Sequence, residues 1–314
     1  FSIMPVTGGL KWKEADRGSW FSHKAEEARP YYYKVYLADA DVTTELTATE
    51  RAACFRFTFP ESDSASFVID AFDKGSHIRV FPRENKIIGY STRYRRGKLI
   101  NFKNYFVIYF DKAFAFLKTI NERAEIIDSP GVINSHALAI VGFKTRKGEV
   151  VHARVASSFI SFEQAEQNLK ELGARNKGFE TLKAEAKNKW EKTLNAVQVE
   201  GGTDEQLRTF YSCMYRAVMF PNKLYEIDAR NKIVHYSPYN GQVLPGYMYG
   251  GTGFWDTFRA LYPLLNVLFP SINREMQEGL INDYKEGGWL PEWSSPSYAD
   301  IMIGNNSASV VSEA

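Results

Sequence analysis

The chain has 314 residues, of which 44% are hydrophobic and 24% charged, which is the composition of a globular protein long enough for two domains. Its 39 basic and 37 acidic residues are well mixed and leave a net charge of +2, which argues against a nucleic-acid-binding surface. The one locally basic run, residues 94–98, has the composition of a solvated turn, and no run reaches the roughly 20 apolar residues of a membrane-spanning helix.

Residues 1–160 predict an antiparallel β-sandwich. Residues 42–49 alternate in polarity, and Phe55, Phe57 and Phe59 fall on one face of the next run. Further short β runs follow at residues 67–72, 77–81, 86–92, 105–110, 138–143 and 150–157. Many short strands separated by turn residues, without a long helical pattern, are typical of a sandwich.

Residues 161–200 predict a helical linker. Ser161 and Gln164 have the spacing of a helix N-cap with its third-position partner, and a polar stretch rich in Glu, Lys and Ala follows. Gly173 and Gly178 are the predicted breaks. The outer face of this linker is expected to be solvated.

Residues 201–314 predict successive helices separated by long aromatic loops. A capping box at 203–206 opens the first helix. Apolar residues from Phe258 onward recur at helical spacing and are expected to stop at Pro270, and another helix should run from 271 to about 284. This pattern suggests a helical toroid whose loops gather at one end, where we expect the site.

The segment 249–259, YGGTGFWDTFR, carries the strongest chemical signal. Its glycines permit a close backbone approach, and they lead into Trp255, Asp256 and Arg259 at the start of a helix. An aromatic ring beside a carboxylate is suited to a sugar, since the ring stacks on C–H faces and the carboxylate accepts from hydroxyls. On these residues alone, the alternative is that Trp255 is core and Asp256 caps the helix and pairs with Arg259.

A second aromatic loop, 287–293, contains Glu292 between Trp289 and Trp293. Glu292 is interpreted either as a hydroxyl-binding group or as a loop-surface residue, and Asp300 is open to the same two interpretations. The five histidines and the serines lack triad or zinc spacing, and no nucleotide-binding glycine motif is present. Two cysteines in apolar surroundings, at 54 and 213, are expected to be buried free thiols.

Several segments together resemble the α-mannosidases of glycoside hydrolase family 92, and the similarity covers nearly the whole chain. The W-D-T-x-R element with its glycine lead-in is the most specific of them. The segments are PYYYKVYLAD (30–39), VTTELTATER (42–51), KIIGY (86–90), NFKNYFV (101–107), GFWDTFR (253–259), LPEW (290–293) and MIG (302–304).

The resemblance implies a secreted, periplasmic or cell-surface exo-α-mannosidase. It would be calcium-dependent and would release terminal mannose, with inversion, from mannan or N-glycan type oligosaccharides. The implied architecture is a β-sandwich over 1–160, a helical linker over 161–200 and the first part of an (α/α)6 barrel over 201–314. The resemblance also puts Trp255, Asp256 and Arg259 in the subsite for the terminal mannose, with Trp293 and Glu292 as weaker candidates.

The general acid, the general base and the calcium ligands are expected C-terminal to Ala314, and no catalytic or metal-binding residue is expected within the chain. We therefore interpret the chain as an internal piece of a longer polypeptide, inactive when isolated, whose partners are an α-mannoside and the remainder of its own polypeptide. Two alternatives stay open. One is a non-catalytic carbohydrate-binding or surface protein that keeps the subsite, and the other is a different (α/α)6 glycosidase or phosphorylase.

Overall fold

The structure is a computed structural model that describes residues 1–94, 99–121 and 123–313. Four of the five residues in the basic run predicted at 94–98 lie outside this description. The chain divides into two compact units, which are described separately below. The first unit comprises Phe1–Arg93 and Lys103–Trp190, and the second comprises Tyr94–Phe102 and Glu191–Ala314.

The first unit contains two antiparallel sheets. Its strands, in chain order, are β1 (Ser2–Val6), β2 (Glu27–Arg29), β3 (Tyr32–Leu37), β4 (Val42–Ala48), β5 (Ala52–Phe59), β6 (Ser62–Asp70), β7 (Ser76–Phe81), β8 (Lys86–Ser91), β9 (Asn104–Phe110), β10 (Phe116–Ile120), β11 (Ile126–Ile127), β12 (Gly131–Asn134), β13 (Leu138–Thr145) and β14 (Glu149–Ser158). The five-stranded sheet has the order β1-β6-β13-β10-β11, and the nine-stranded sheet has the order β12-β7-β8-β9-β14-β5-β4-β3-β2.

The two sheets share one aromatic core. Phe57 and Phe59 of β5 point inward and are each 1% exposed, as the alternating pattern predicts. The ring of Phe57 lies 4.6 Å from that of Phe67 on β6, which belongs to the other sheet. The predicted antiparallel β-sandwich is therefore confirmed, and the residues that identified it are those that fill its interior.

The helices, in chain order, are α1 (Glu14–Arg17), α2 (Phe162–Leu169), α3 (Phe179–Leu194), α4 (Asp204–Ala217), α5 (Phe254–Thr257), α6 (Leu261–Leu268), α7 (Pro270–Gly287) and α8 (Asn306–Ser312). Ser161 caps α2 by accepting from the backbone N–H of Gln164 at 3.1 Å. None of the helices in the described ranges combines the length and apolar character that crossing a bilayer requires.

Charged side chains hold α3 on the outer face of the nine-stranded sheet. Arg56 on β5 donates two hydrogen bonds of 2.7 Å to Glu45 on β4 and a third of 2.7 Å to Glu180 on α3. The Arg56 guanidinium also lies 4.3 Å from the ring centre of Phe179. The two bonds to Glu45 fix the direction of the guanidinium, and its contacts with Glu180 and Phe179 then tie the first turn of α3 to the sandwich.

The second unit combines α4–α8 with short strands. These strands are β15 (Asn222–Lys223), β16 (Tyr225–Ile227), β17 (Ile233–Tyr236), β18 (Val243–Pro245), β19 (Tyr249–Gly250), β20 (Thr252–Gly253) and β21 (Trp293–Ser294). Their shared core includes Tyr249, Phe254, Tyr262, Leu265 and Leu280. A β-rich N-terminal domain is thus followed by helices, as predicted.

One detail of the sequence prediction is confirmed and another is wrong. The helix α6 ends before Pro270, as predicted, and Pro270 is also the first residue of α7, where a proline costs no hydrogen bond because the first helical N–H has no partner within the helix. Cys54 is buried as expected, but Cys213 is exposed. Helical spacing around Cys213 shows which residues share a face but not which face turns inward.

Candidate functional site

The two aromatic loops meet in a short antiparallel ladder. Thr252 of β20 pairs with Ser294 of β21, and Gly253 pairs with Trp293. The backbone N–H of Gly251 donates to the carbonyl of Ser294 at 2.7 Å, which extends the ladder by one residue. The glycine segment and the 287–294 loop are therefore paired with each other, whereas the sequence analysis predicted two separate loops.

Gly253 leaves space that the side chains of Trp293 and Asp256 occupy. A Cβ atom built at Gly253 would lie 2.9 Å from Cε3 of Trp293 and 3.3 Å from Oδ2 of Asp256. The Trp293 ring and the Asp256 carboxylate therefore both lie against the backbone of Gly253, and a larger residue would displace them. The sequence predicted close backbone approach at these glycines, and the approaching group here is the Trp293 indole.

The single turn of α5 separates consecutive side chains. Phe254 is 1% exposed and stacks on Tyr262 with a centroid distance of 5.6 Å, whereas Trp255 is 56% exposed and Asp256 is also exposed. Consecutive helical residues point about 100° apart, so burying Phe254 turns the next two side chains outward. In the part of the chain that the structure describes, Trp255 is not a core residue.

In the described part of the chain, Asp256 neither caps the helix nor pairs with Arg259, the two structural roles considered for it. The N-cap of α5 is Gly253, and no side chain caps that helix within the described ranges. Asp256 forms no ion pair with Arg259 among the described residues, and the Arg259 guanidinium instead lies 4.8 Å from the ring centre of Phe258. The Asp256 carboxylate is therefore available to accept hydrogen bonds from a ligand.

Glu292 has a structural task that sequence reasoning missed. Its Oε1 accepts from the backbone N–H and the hydroxyl of Ser307 at 3.2 and 2.8 Å. Its Oε2 accepts from the backbone N–H and the side-chain amide of Asn306 at 3.1 and 3.3 Å. The carboxylate thus binds the first turn of α8, where free N–H groups favour an anion.

Residues 1–158 match the family model described as the Glycosyl hydrolase family 92 N-terminal domain, and residues 164–314 match the Glycosyl hydrolase family 92 catalytic domain. The chain belongs to glycosyl hydrolase family 92. The resemblance drawn from the sequence segments is thereby confirmed.

Two solved family 92 structures from Bacteroides thetaiotaomicron are similar over 98% of this chain. One is an inverting mannosidase, with 41% identity and a TM-score of 0.94, and the other is an α-mannosidase in complex with mannoimidazole, with 28% identity and a TM-score of 0.87. This chain covers 42% of each of them. An uncharacterized secreted glycosidase from Arthroderma benhamiae is 25% identical over 236 residues, which are 67% of this chain and 30% of that protein.

The family 92 chain also buries an acidic cluster that sequence reasoning missed. Asp283 on α7 is 1% exposed, and the hydroxyl of Tyr239 donates to its Oδ1 at 2.8 Å. Burial raises the pKa of Asp283 well above its ordinary value, although the hydrogen bond from Tyr239 opposes this. A signal was present in the sequence, because Met276, Leu280 and Asp283 follow helical spacing and place a carboxylate on an apolar stripe.

Calcium is the ion that the resemblance implies for family 92. Within the described ranges, no group of three or more histidine, cysteine, aspartate or glutamate side chains is arranged to hold a metal ion. A calcium site needs six to eight oxygen ligands, commonly including several carboxylates. These residues therefore do not fit the ion, and the expectation that its ligands lie outside the chain stays a prediction.

A groove of about 720 Å³ lies on the sandwich unit. Two of its charged groups are bound to neighbouring groups of the sandwich. Arg154 donates to backbone carbonyls between Leu172 and Lys177, and His152 contacts Asp111 with 2.7 Å between Nδ1 and Oδ2. We therefore assign the candidate site to the ladder and α5, where an exposed indole and an available carboxylate are adjacent.

Proposed function

We propose that this chain contributes the sugar-orienting part of an exo-acting α-mannosidase that hydrolyses terminal α-mannosides with inversion. The two solved family 92 relatives, one an inverting mannosidase and the other an α-mannosidase, support this assignment. The chain spans 42% of their length, and we propose that the activity belongs to a longer polypeptide. Within it, we propose a sandwich over 1–160, a helical linker over 161–200 and the first part of an (α/α)6 barrel over 201–314.

The observation that carries the proposal is the geometry around Gly253. The ladder holds Trp293 and Asp256 against one glycine, and α5 turns Trp255 outward beside them. An indole face and a carboxylate on one rigid corner match the C–H face and the hydroxyl groups of a hexose. Trp255 and Asp256 are the primary contacts in this proposal, and Arg259, Trp293 and Glu292 are secondary candidates.

In the proposed reaction, the residues of this chain orient the sugar and transfer no proton. In inverting hydrolysis, one carboxylic acid protonates the glycosidic oxygen while a carboxylate on the opposite face activates water, with the two groups roughly 6.5–9.5 Å apart. We propose that both carboxyl groups follow Ala314. Holding the hexose in a reactive orientation can lower the barrier by several kcal/mol, so loss of the orienting groups should reduce turnover.

We also propose that the parent protein is exported to the cell surface, the periplasm or the medium. A mannosidase that acts on glycans would meet its substrate there, and the Arthroderma benhamiae relative is described as secreted.

The test is hydrolysis of defined α-mannobioses by the full-length polypeptide, with the product anomer followed by NMR. We expect release of β-mannose as the first product, and a chelator should abolish activity that added calcium restores. Retention of the α-anomer would exclude inversion. Mannose binding without turnover would instead support the non-catalytic carbohydrate-binding alternative.

Asp256→Ala tests the assigned residue directly. A charged acceptor that binds two hydroxyls contributes about 3–4 kcal/mol, so kcat/KM should fall by about 100- to 1,000-fold. Asp63→Ala is the matched control, because Asp63 is an exposed carboxylate on the sandwich. Near-normal turnover by Asp256→Ala would refute the assignment.

A further inference from the structure

A buried carboxyl group lies directly behind the strand pair of the site. Asp283 lines a cavity of about 10 Å³ together with Thr252 of β20 and Ser294 of β21. This volume is close to that of a single enclosed water molecule. Asp283, on α7, therefore lines the same cavity as the two strands, of which β21 carries Trp293 and β20 leads into α5.

The other side of this cavity is lined by two residues that carry hydroxyl groups. Thr252 is 5% exposed and Ser294 is 2% exposed. A hydroxyl oxygen can accept a hydrogen bond from a carboxylic acid, either directly or through a bridging water.

A buried contact between an imidazole and a carboxyl group lies on the same helix turn as Asp283. His235 is fully buried, and its Nδ1 must donate to the Gly246 carbonyl at 2.9 Å because a carbonyl can only accept. Its Nε2 lies 2.9 Å from Oε1 of Glu286, and Oε2 of Glu286 is buried without a hydrogen-bond partner among the described residues.

Four groups act on Asp283 through hydrogen bonds or electrostatic interaction. These groups are Tyr239, which follows β17, Tyr262 on α6, Tyr298, which follows β21, and Glu286 on α7. No lysine or arginine is among them in the described part of the chain. An ionised Asp283 would therefore place a negative charge in the interior without a lysine or arginine beside it, which is strongly unfavourable.

We propose that Asp283 is a positioning residue of the sugar site: as a neutral carboxylic acid it accepts from Tyr239 through Oδ1 and donates through Oδ2–H across the cavity toward Thr252 and Ser294. This donation fixes the spacing between α7 and the β20–β21 ladder. The ladder carries the ring of Trp293 and leads into α5, so Asp283 controls the orientation of the groups that would hold the hexose. The inference rests on the proposed function for its consequence in catalysis.

The first test compares Asp283→Asn with Asp283→Ala in the full-length polypeptide. The amide keeps one acceptor and one donor without charge, so kcat/KM on an α-mannobiose should stay within about threefold of wild type. Alanine removes the donor, and a small displacement of orienting groups should lower kcat/KM by about 100-fold. Circular dichroism confirms that both variants are folded. Equal losses in the two folded variants, or no loss in Asp283→Ala, would overturn the inference.

The second test measures the free energy of unfolding against pH for wild type and Asp283→Asn. A carboxyl with a raised folded-state pKa binds more protons in the folded state, so the wild type loses stability as pH rises above about 3.8. The asparagine variant lacks this loss, and its stability relative to wild type should therefore rise between pH 4 and 7. A constant difference would show that Asp283 is not held neutral.

The two tests separate failure of the inference from failure of the proposed function. A wild-type protein that hydrolyses no α-mannoside would refute the proposed function. The pH measurement does not use activity and needs only the isosteric variant, so it decides the protonation state of Asp283 in either case.

Discussion

Side-chain direction at three consecutive residues determines whether this chain presents a sugar site. Phe254 is buried, and the next two residues are exposed. The sequence identified the segment but left open whether Trp255 is core, because residue types alone do not show how a four-residue helix is turned. The orientation follows from the ladder that precedes α5 and from the stacking of Phe254 on Tyr262.

Trp255→Ala should weaken substrate binding more than it slows the reaction. Loss of stacking and of apolar contact should raise KM roughly 10- to 100-fold, with a smaller change in kcat. Trp20→Ala is the matched control, since Trp20 is 69% exposed on the sandwich unit. Equal KM values for the two variants in full-length enzyme would exclude Trp255 from the site.

The role of Glu292 can be determined by measuring the free energy of unfolding and KM for the same variant. If its task is to hold the start of α8, Glu292→Ala should lower the free energy of unfolding by about 1–2 kcal/mol and leave KM nearly unchanged. An unchanged free energy of unfolding with a raised KM would show instead that Glu292 binds the sugar. Its partners Asn306 and Ser307 are distant in the sequence, so no local motif could have indicated this role.

The longer strands could be predicted from the sequence, whereas the shortest strands could not. The sandwich strands carry enough alternating residues to be recognised, and Phe57 and Phe59 lie inside as predicted. The strands β20 and β21 have two residues each, and such short elements carry no periodicity. Their pairing depends on contacts distant in sequence, and this pairing is what assembles the site.

The ion pair between Glu45 on β4 and Arg56 on β5 should be pH-dependent. Burial alone would raise the pKa of Glu45, but the hydrogen bonds from Arg56 and Tyr32 lower it below its ordinary value. The resulting stabilisation is present above about pH 4.5 and is lost as pH falls through the lowered pKa.

Arg56→Met tests this contact. It should destabilise the protein by roughly 2–4 kcal/mol at pH 7, because Glu45 would remain buried without its cation. The difference in unfolding free energy from wild type should shrink as pH falls below 4.5, since protonated Glu45 no longer needs a cation. A difference that does not vary with pH would contradict the assignment.

Two helices of the second unit, α6 and α7, each carry apolar residues on an exposed face as well as on the buried face. On α6, Tyr262 and Leu265 are buried, whereas Leu264 and Val267 are 41% and 78% exposed. On α7, Ile281 and Tyr284 are 42% and 57% exposed. A helix that is apolar on both faces is typically buried in a larger assembly, which supports the proposal that the remaining barrel helices cover these faces.

The 314-residue chain alone should therefore self-associate and lack mannosidase activity. Val267→Lys should reduce self-association, measured by light scattering, because it places a charge on the exposed α6 face. Leu10→Lys, a change at a residue 44% exposed on the sandwich unit, should have no such effect. A monodisperse, active 314-residue chain would contradict this account.

The most direct test of the central claim is calorimetric binding of mannoimidazole to the full-length polypeptide. A solved family 92 α-mannosidase has been obtained with this ligand. We predict that Asp256→Ala weakens binding by about 100-fold or more, while Asp63→Ala binds as the wild type does. Wild-type affinity in the Asp256→Ala variant would show that the corner formed by Gly253, Trp255 and Asp256 does not hold the sugar.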